Sequence, residues 1–100
     1  MLLFIVSIFT EPSQTKINEI SKKDLDNYVK ITGTVINIKE IKAENYFFKI
    51  IKLKDSSGSI NIIQNSKEKL EINQKIEVIG RVSEYNQEIQ IETKEIKFLK

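Results

Sequence analysis

The sequence predicts an all-β domain in which five strands close into a Greek-key barrel, with a short helix between the third and fourth strands. Three observations predict it. Five segments alternate apolar and polar residues with period two, the signature of half-buried strands. Two of them carry a mid-strand glycine on the apolar parity, Gly33 and Gly80, where a strand that must bend sharply needs room. Turn-forming residues separate the segments at short intervals.

The elements follow in order. In residues 15–20, Ile17 and Ile20 are the apolar positions. Ser21 is placed to cap one helical turn through Leu25, with Asp24 three residues on as an acidic variant of the capping box. Residues 28–39 form the clearest strand. Val29, Ile31, Gly33 and Val35 alternate with Lys30, Thr32 and Thr34, and Ile36 and Ile38 then break the pattern, as a bulge after Val35 does. Residues 40–45 read as a polar link. The second strand, Tyr46–Lys54, holds apolar residues on both parities: Phe47, Ile51 and Leu53 on one, Tyr46, Phe48 and Ile50 on the other. Either both faces are partly covered or a bulge near Lys49 changes the register.

Asp55-Ser56-Ser57-Gly58 is a turn, with Asp55 able to bond its own backbone and Gly58 free to take positive φ. The third strand is Ser59–Gln64, with Ile60 and Ile62 inward. Residues 65–72 predict about two helical turns capped by Asn65, with Leu70 as the apolar contact and Asn73 as the stop. In residues 75–84, Ile76, Val78, Gly80 and Val82 face inward, against Glu77, Ile79, Arg81 and Ser83 outward. Tyr85-Asn86-Gln87 is a tight turn. Residues 88–99 make the last strand, with Ile89, Ile91 and Thr93 on one face and Ile96 and Phe98 joining after a register slip.

One hundred residues allow one domain. The chain has no Cys and no His. This excludes disulfides, thiolate metal sites, and nucleophile–histidine catalysis. No paired carboxylates, glycine-rich phosphate loop or metal-ligand cluster stands out, so no enzyme activity and no cofactor is expected. The net charge is +2, and Arg81 is the one Arg among lysines. Lysine acts as a point charge, which suits backbone attraction better than base-specific readout.

The segment MLLFIVSIF, residues 1–9, begins at Met1 and ends at Phe9. It falls short of the roughly 20 apolar residues that span a bilayer, and it lacks the basic start and cleavage site of a signal peptide. Three readings compete: the end of a transmembrane helix whose start is missing, an extra element packed on the barrel, and a tail that touches a partner or a membrane. The expected division is an apolar segment over residues 1–12 and the barrel over 13–100. The expected location is cytoplasmic, or membrane-associated if residues 1–9 belong to a transmembrane helix.

Strand, strand, strand, short helix, strand, strand is the order of the OB-fold. From about Val29 to Val82 the chain resembles the OB-fold nucleic-acid-binding domain of the tRNA-anticodon-binding type, found in class II aminoacyl-tRNA synthetases and as small stand-alone archaeal proteins. The matching pieces are Val29-x-Ile31-x-Gly33-x-Val35, Leu53-x-Asp55-x-x-Gly58-x-Ile60-x-Ile62, and Leu70-x-x-Asn73-x-x-Ile76-x-Val78-x-Gly80-x-Val82. Two positions depart from that pattern. Ile50 stands where the family usually has a base-stacking aromatic, and Asn73 where it often has Gly. No synthetase catalytic segment is present. The resemblance also implies a membrane tether in small archaeal relatives, which residues 1–9 would suit.

OB barrels bind single strands across strands two and three, between the one-two and four-five loops. Parity nominates Tyr46 and Phe48 as stacking platforms. Lys49 or Lys52 (depending on the bulge), Lys54 and Arg81 are phosphate contacts, and Asn61 and Tyr85 add a hydrogen bond or a second stack. The expected function is a binding module for single-stranded DNA or RNA with low sequence specificity. The alternative is an OB domain that contacts protein, held at a membrane through residues 1–9. No small-molecule substrate is expected.

Overall fold

A computed structural model describes residues 12–65 and 68–99. The expected apolar segment at residues 1–9 lies outside the described residues. No helix among the described residues is long and apolar enough to cross a membrane.

Five strands, β1 (Tyr28–Ala43), β2 (Tyr46–Lys54), β3 (Ser59–Gln64), β4 (Lys75–Tyr85) and β5 (Glu88–Phe98), close into a barrel in the order β1-β2-β3-β5-β4. All pairs are antiparallel except β3 with β5, which are parallel. Period-two alternation fills the interior. Ile31, Val35, Ile51, Leu53, Ile62, Ile76, Val78, Val82 and Ile91 are wholly buried, and burying each aliphatic side chain contributes about 1.5–3 kcal/mol. Ile17 and Leu70 join the same core from outside the strands.

Both mid-strand glycines sit where another backbone comes close. A Cβ on Gly33 would lie 2.7 Å from the Lys54 carbonyl oxygen, and one on Gly80 would lie 2.5 Å from Ile91 Cγ2 and collide with the Glu92 carbonyl. The bulge after Val35 is present: Val35 pairs with Leu53 and Asn37 with Lys52, leaving Ile36 as the extra residue. The slip in β5 is present too, with Lys94 as the extra residue between Thr93 opposite Gly80 and Glu95 opposite Ile79.

Before β1, Ile17–Glu19 and Lys22–Asp24 form two 3-10 turns. The second is held as the sequence implied, Ser21 N–H donating to Asp24 Oδ2 at 3.0 Å. The turn 55–58 is organised by Asp55. Its Oδ1 accepts from the Ser57 amide (2.7 Å), the Ser57 hydroxyl (2.6 Å) and the Gly58 amide (3.1 Å), while Oδ2 accepts from the Ile17 amide (2.9 Å). Burial works to raise the Asp55 pKa, but the bonds from the Ser57 hydroxyl and the three amides outweigh it and hold the carboxyl below its ordinary value.

Four expectations need correction. Residues 40–45 are not a link: β1 runs on to Ala43, pairing Ile41 with Phe48 and Ala43 with Tyr46, and only Glu44 and Asn45 turn. This part of the hairpin extends past the barrel, so it has no buried face to impose an apolar pattern. There is no bulge at Lys49, since β2 pairs residue by residue with β3 and, beyond the Ile36 bulge of β1, with β1. Phe47 keeps the core parity but lies beyond the barrel's end, where it is 39% exposed. The described residues between β3 and β4 form no helix, although Leu70 still reaches the core. Asn73 takes φ 73° without a helix before it, its amide donating to the Val35 carbonyl at 2.7 Å. Finally, Gly58 does not use positive φ, because Asp55 alone closes that turn.

Candidate nucleic-acid interface

With one register throughout β2, its outer parity is Tyr46, Phe48, Ile50, Lys52 and Lys54. Eight residue steps at 3.4 Å carry this stripe over about 27 Å. At its hairpin end the Tyr46 and Phe48 rings stack, with centroids 5.8 Å apart and planes inclined by 20°. Ala43 and Ile41 stand opposite them on β1. These apolar neighbours support the rings from the side and leave Tyr46 59% exposed. Ile50 follows, beside Ile63 of β3. Lys52 and Lys54 complete the stripe, both exposed.

At Lys52 the pairing lines up polar side chains across the sheet. Asn37 lies on one side, and Asn61 and then Gln90 on the other. Gln90 Nε2 donates to Ser83 Oγ of β4 at 3.4 Å. A concavity of about 480 Å³ opens here, with Lys52, Asn61 and Ile60 from the barrel and Ile17, Asn18 and Ile20 from the first 3-10 turn on its walls. Asp55 builds that wall by holding the Ile17 amide, and the Ser57 hydroxyl accepts from the Asn18 amide at 3.0 Å.

The register therefore brings Tyr46, Phe48, Lys52, Lys54 and Asn61 onto one face. Tyr85, 66% exposed, stands at the β4–β5 turn. Two other sequence candidates stand apart. Lys49 has the inward parity at the barrel's end, its Nζ donating to the Glu68 carbonyl at 3.4 Å. Arg81 is on the outer face of β4, between Tyr28 of β1 and Glu92 of β5. Its guanidinium pairs with Glu92 at 2.7 Å and Asp26 at 2.8 Å. The hydrogen bond and charge of Glu92, helped by Asp26, raise its pKa further above the ordinary value.

Sequence reasoning missed Asn37, Lys39 and Gln90 on this side of the sheet. Their alternation was visible, but membership of the face depends on which strands lie next to each other. Lys39 pairs with Ile50 and adds a third cation to the face.

No protein-family profile matches the chain, and no curated protein matches it. Solved structures do match. The second OB-fold domain of replication protein A from Methanococcus maripaludis is 22% identical, with 87% of this chain and 95% of that one covered at a TM-score of 0.67. An OBody bound to hen egg-white lysozyme is 16% identical over 95% of this chain and 98% of that one, TM-score 0.70. Asparaginyl-tRNA synthetase from Pyrococcus horikoshii is 12% identical over 87% of this chain but only 22% of that one, TM-score 0.70. At these identities the likeness is one of fold, and together with the strand order and register it shows that this chain is an OB-fold barrel.

Proposed function

We propose that this chain is a binding module that holds single-stranded nucleic acid on the outer face of β2 and β3, with no catalytic role. The observation that carries the reading is the stack of an exposed Tyr46 on a half-buried Phe48, continuing along one strand into Lys52 and Lys54. Aromatic faces accept any base, at about 1–3 kcal/mol per base stacked. The lysines supply phosphate attraction, and Asn61 supplies a hydrogen-bonding amide beside them. Replication protein A and a tRNA synthetase among the structural neighbours fit this reading, and sequence preference is expected to be low because stacking and point charges dominate.

Labelled oligo-dT and oligo-U, titrated with the full chain across a salt series and followed by anisotropy, test it. Binding should weaken steeply with salt, with a log-log slope of about −0.7 per phosphate contacted. Tyr46→Ala and Phe48→Ala should each weaken it by roughly 5- to 150-fold while the fold persists, the range that 1–3 kcal/mol spans. No binding at low salt up to about 100 μM protein, the weak end of non-specific affinity, refutes the reading. A protein-contact role would then take its place, and an OBody bound to hen egg-white lysozyme is among the structural neighbours.

A further inference from the structure

Thr34 is the residue at which β1 changes partners. It pairs with Lys75 of β4 on one side and with Lys54 of β2 on the other. Three consecutive outward positions across the sheet are therefore Lys54, Thr34 and Lys75. Strands lie about 4.8 Å apart, so the two lysine backbones stand roughly 10 Å apart with a hydroxyl between them. Like charges this close disfavour one another. Among the described residues neither ammonium forms an ion pair.

The two lysines line one concavity of about 440 Å³ with Thr32, Thr34 and Ile36. Asp55 also borders it, but both of its carboxylate oxygens are occupied by the turn and by the Ile17 amide. Ile36, the bulged residue, is 40% exposed there, an apolar surface for a sugar or base edge. Two long flexible cations, a hydroxyl donor and an apolar flank suit a phosphodiester group.

Resting on the function proposed above, we infer that the bound strand does not stop at Lys54: it crosses β1 at Thr34, and one of its phosphates sits between Lys54 and Lys75. The path is then bent, running about 27 Å along β2 and roughly 10 Å more across β1 to β4. Lys75 becomes a phosphate contact although it lies two strands away from the stacking pair.

The test compares Lys75→Gln with Lys23→Gln, a control on the second 3-10 turn, in the oligo-dT salt series, and follows the Thr34 and Lys75 amides by NMR. The expected result is a slope shallower by about 0.7 for Lys75→Gln only, with both amides moving on oligo-dT addition. An unchanged slope with still amides, while wild-type protein binds, overturns the inference and leaves the functional reading intact. Failure of wild-type protein to bind any oligonucleotide overturns both. Inorganic pyrophosphate separates the two sources of phosphate. Saturation of these amides by micromolar pyrophosphate would mark a free-anion site and overturn the strand path. Movement with oligo-dT but not with micromolar pyrophosphate supports it.

Discussion

Replacing the three glycines one at a time by alanine separates close approach from turn chemistry. At Gly80 the added methyl would meet the Glu92 carbonyl and, at 2.5 Å, the fully buried Ile91. Both belong to β5, whose ladder with β4 cannot yield locally without breaking pairs. Overpacking of this kind costs about 1–3 kcal/mol, sometimes more, and the loss of chain entropy in the unfolded state returns only about 0.4–1. At the upper end of that range, where backbone is the atom met, a net loss of about 2 kcal/mol follows, a fall in Tm of roughly 8–16 °C for a domain of this size. At Gly33 the nearest atoms are 2.7 and 2.9 Å away, and the Leu53 side chain can adjust, so about 1–2 kcal/mol is expected. At Gly58 the nearest atom is 3.8 Å away and φ is not positive, so Gly58→Ala should be neutral or stabilising by up to about 0.5 kcal/mol. Urea unfolding followed by circular dichroism measures all three. The reasoning fails if Gly58→Ala costs as much as Gly80→Ala, or if Gly80→Ala unfolds with the wild-type midpoint.

Four further outcomes are expected. The β4–β5 turn holds both Asn86 (φ 52°) and Gln87 (φ 68°) in the left-handed region, so Gln87→Gly should raise stability by about 0.5–1 kcal/mol, seen as a higher Tm in a thermal melt. Asp55→Asn should cost about 1–2 kcal/mol near neutrality, because an amide cannot accept at both oxygens. Since the Asp55 pKa is lowered on folding, its contribution is complete above the unfolded value of 3.8 and is lost as pH falls through the lower folded value. The gap between wild type and variant should therefore close below about pH 4 in acid titrations of stability. Arg81→Met should leave the oligonucleotide salt slope unchanged, because Glu92 and Asp26 already occupy the guanidinium. Lys52→Gln should make that slope shallower by about 0.7.

Strands that bury one face were legible in the sequence because burial enforces alternation. Val29 to Val35 and Ile76 to Val82 show it, and both bulges announced themselves as broken parity. Gly33 and Gly80 were legible for the same reason, a missing side chain on a parity that otherwise fills the core. Three things were not legible. The outer hairpin from Glu40 to Ala43 has no core to pattern it. The chain around Leu70 reads as helical from Asn65 and the apolar spacing, yet Leu70 is buried without a helix. Partners across the barrel, such as Glu92 for Arg81 or Lys75 for Thr34, depend on strand order and register, which no local pattern encodes.

The candidate site turns on one such question of register. In Tyr46–Lys54 both parities are apolar at one end, so local sequence leaves two answers: Tyr46 and Phe48 as core behind a bulge, or as surface without one. The strand's other end decides between them. Ile51 and Leu53 are wholly buried, and side chains alternate faces strictly along an unbulged strand, so a β2 without a bulge of its own, the one shift against it lying in β1 at Ile36, forces Tyr46 and Phe48 outward with Lys52 and Lys54. A single inserted residue near Lys49 would turn both rings to the other face and leave the lysines alone on this one. The aromatic and cationic halves of the candidate face are thus one consequence of one register. A variant with one residue inserted after Lys49 should lose the stacking contribution, and its affinity should no longer respond to the loss of either ring.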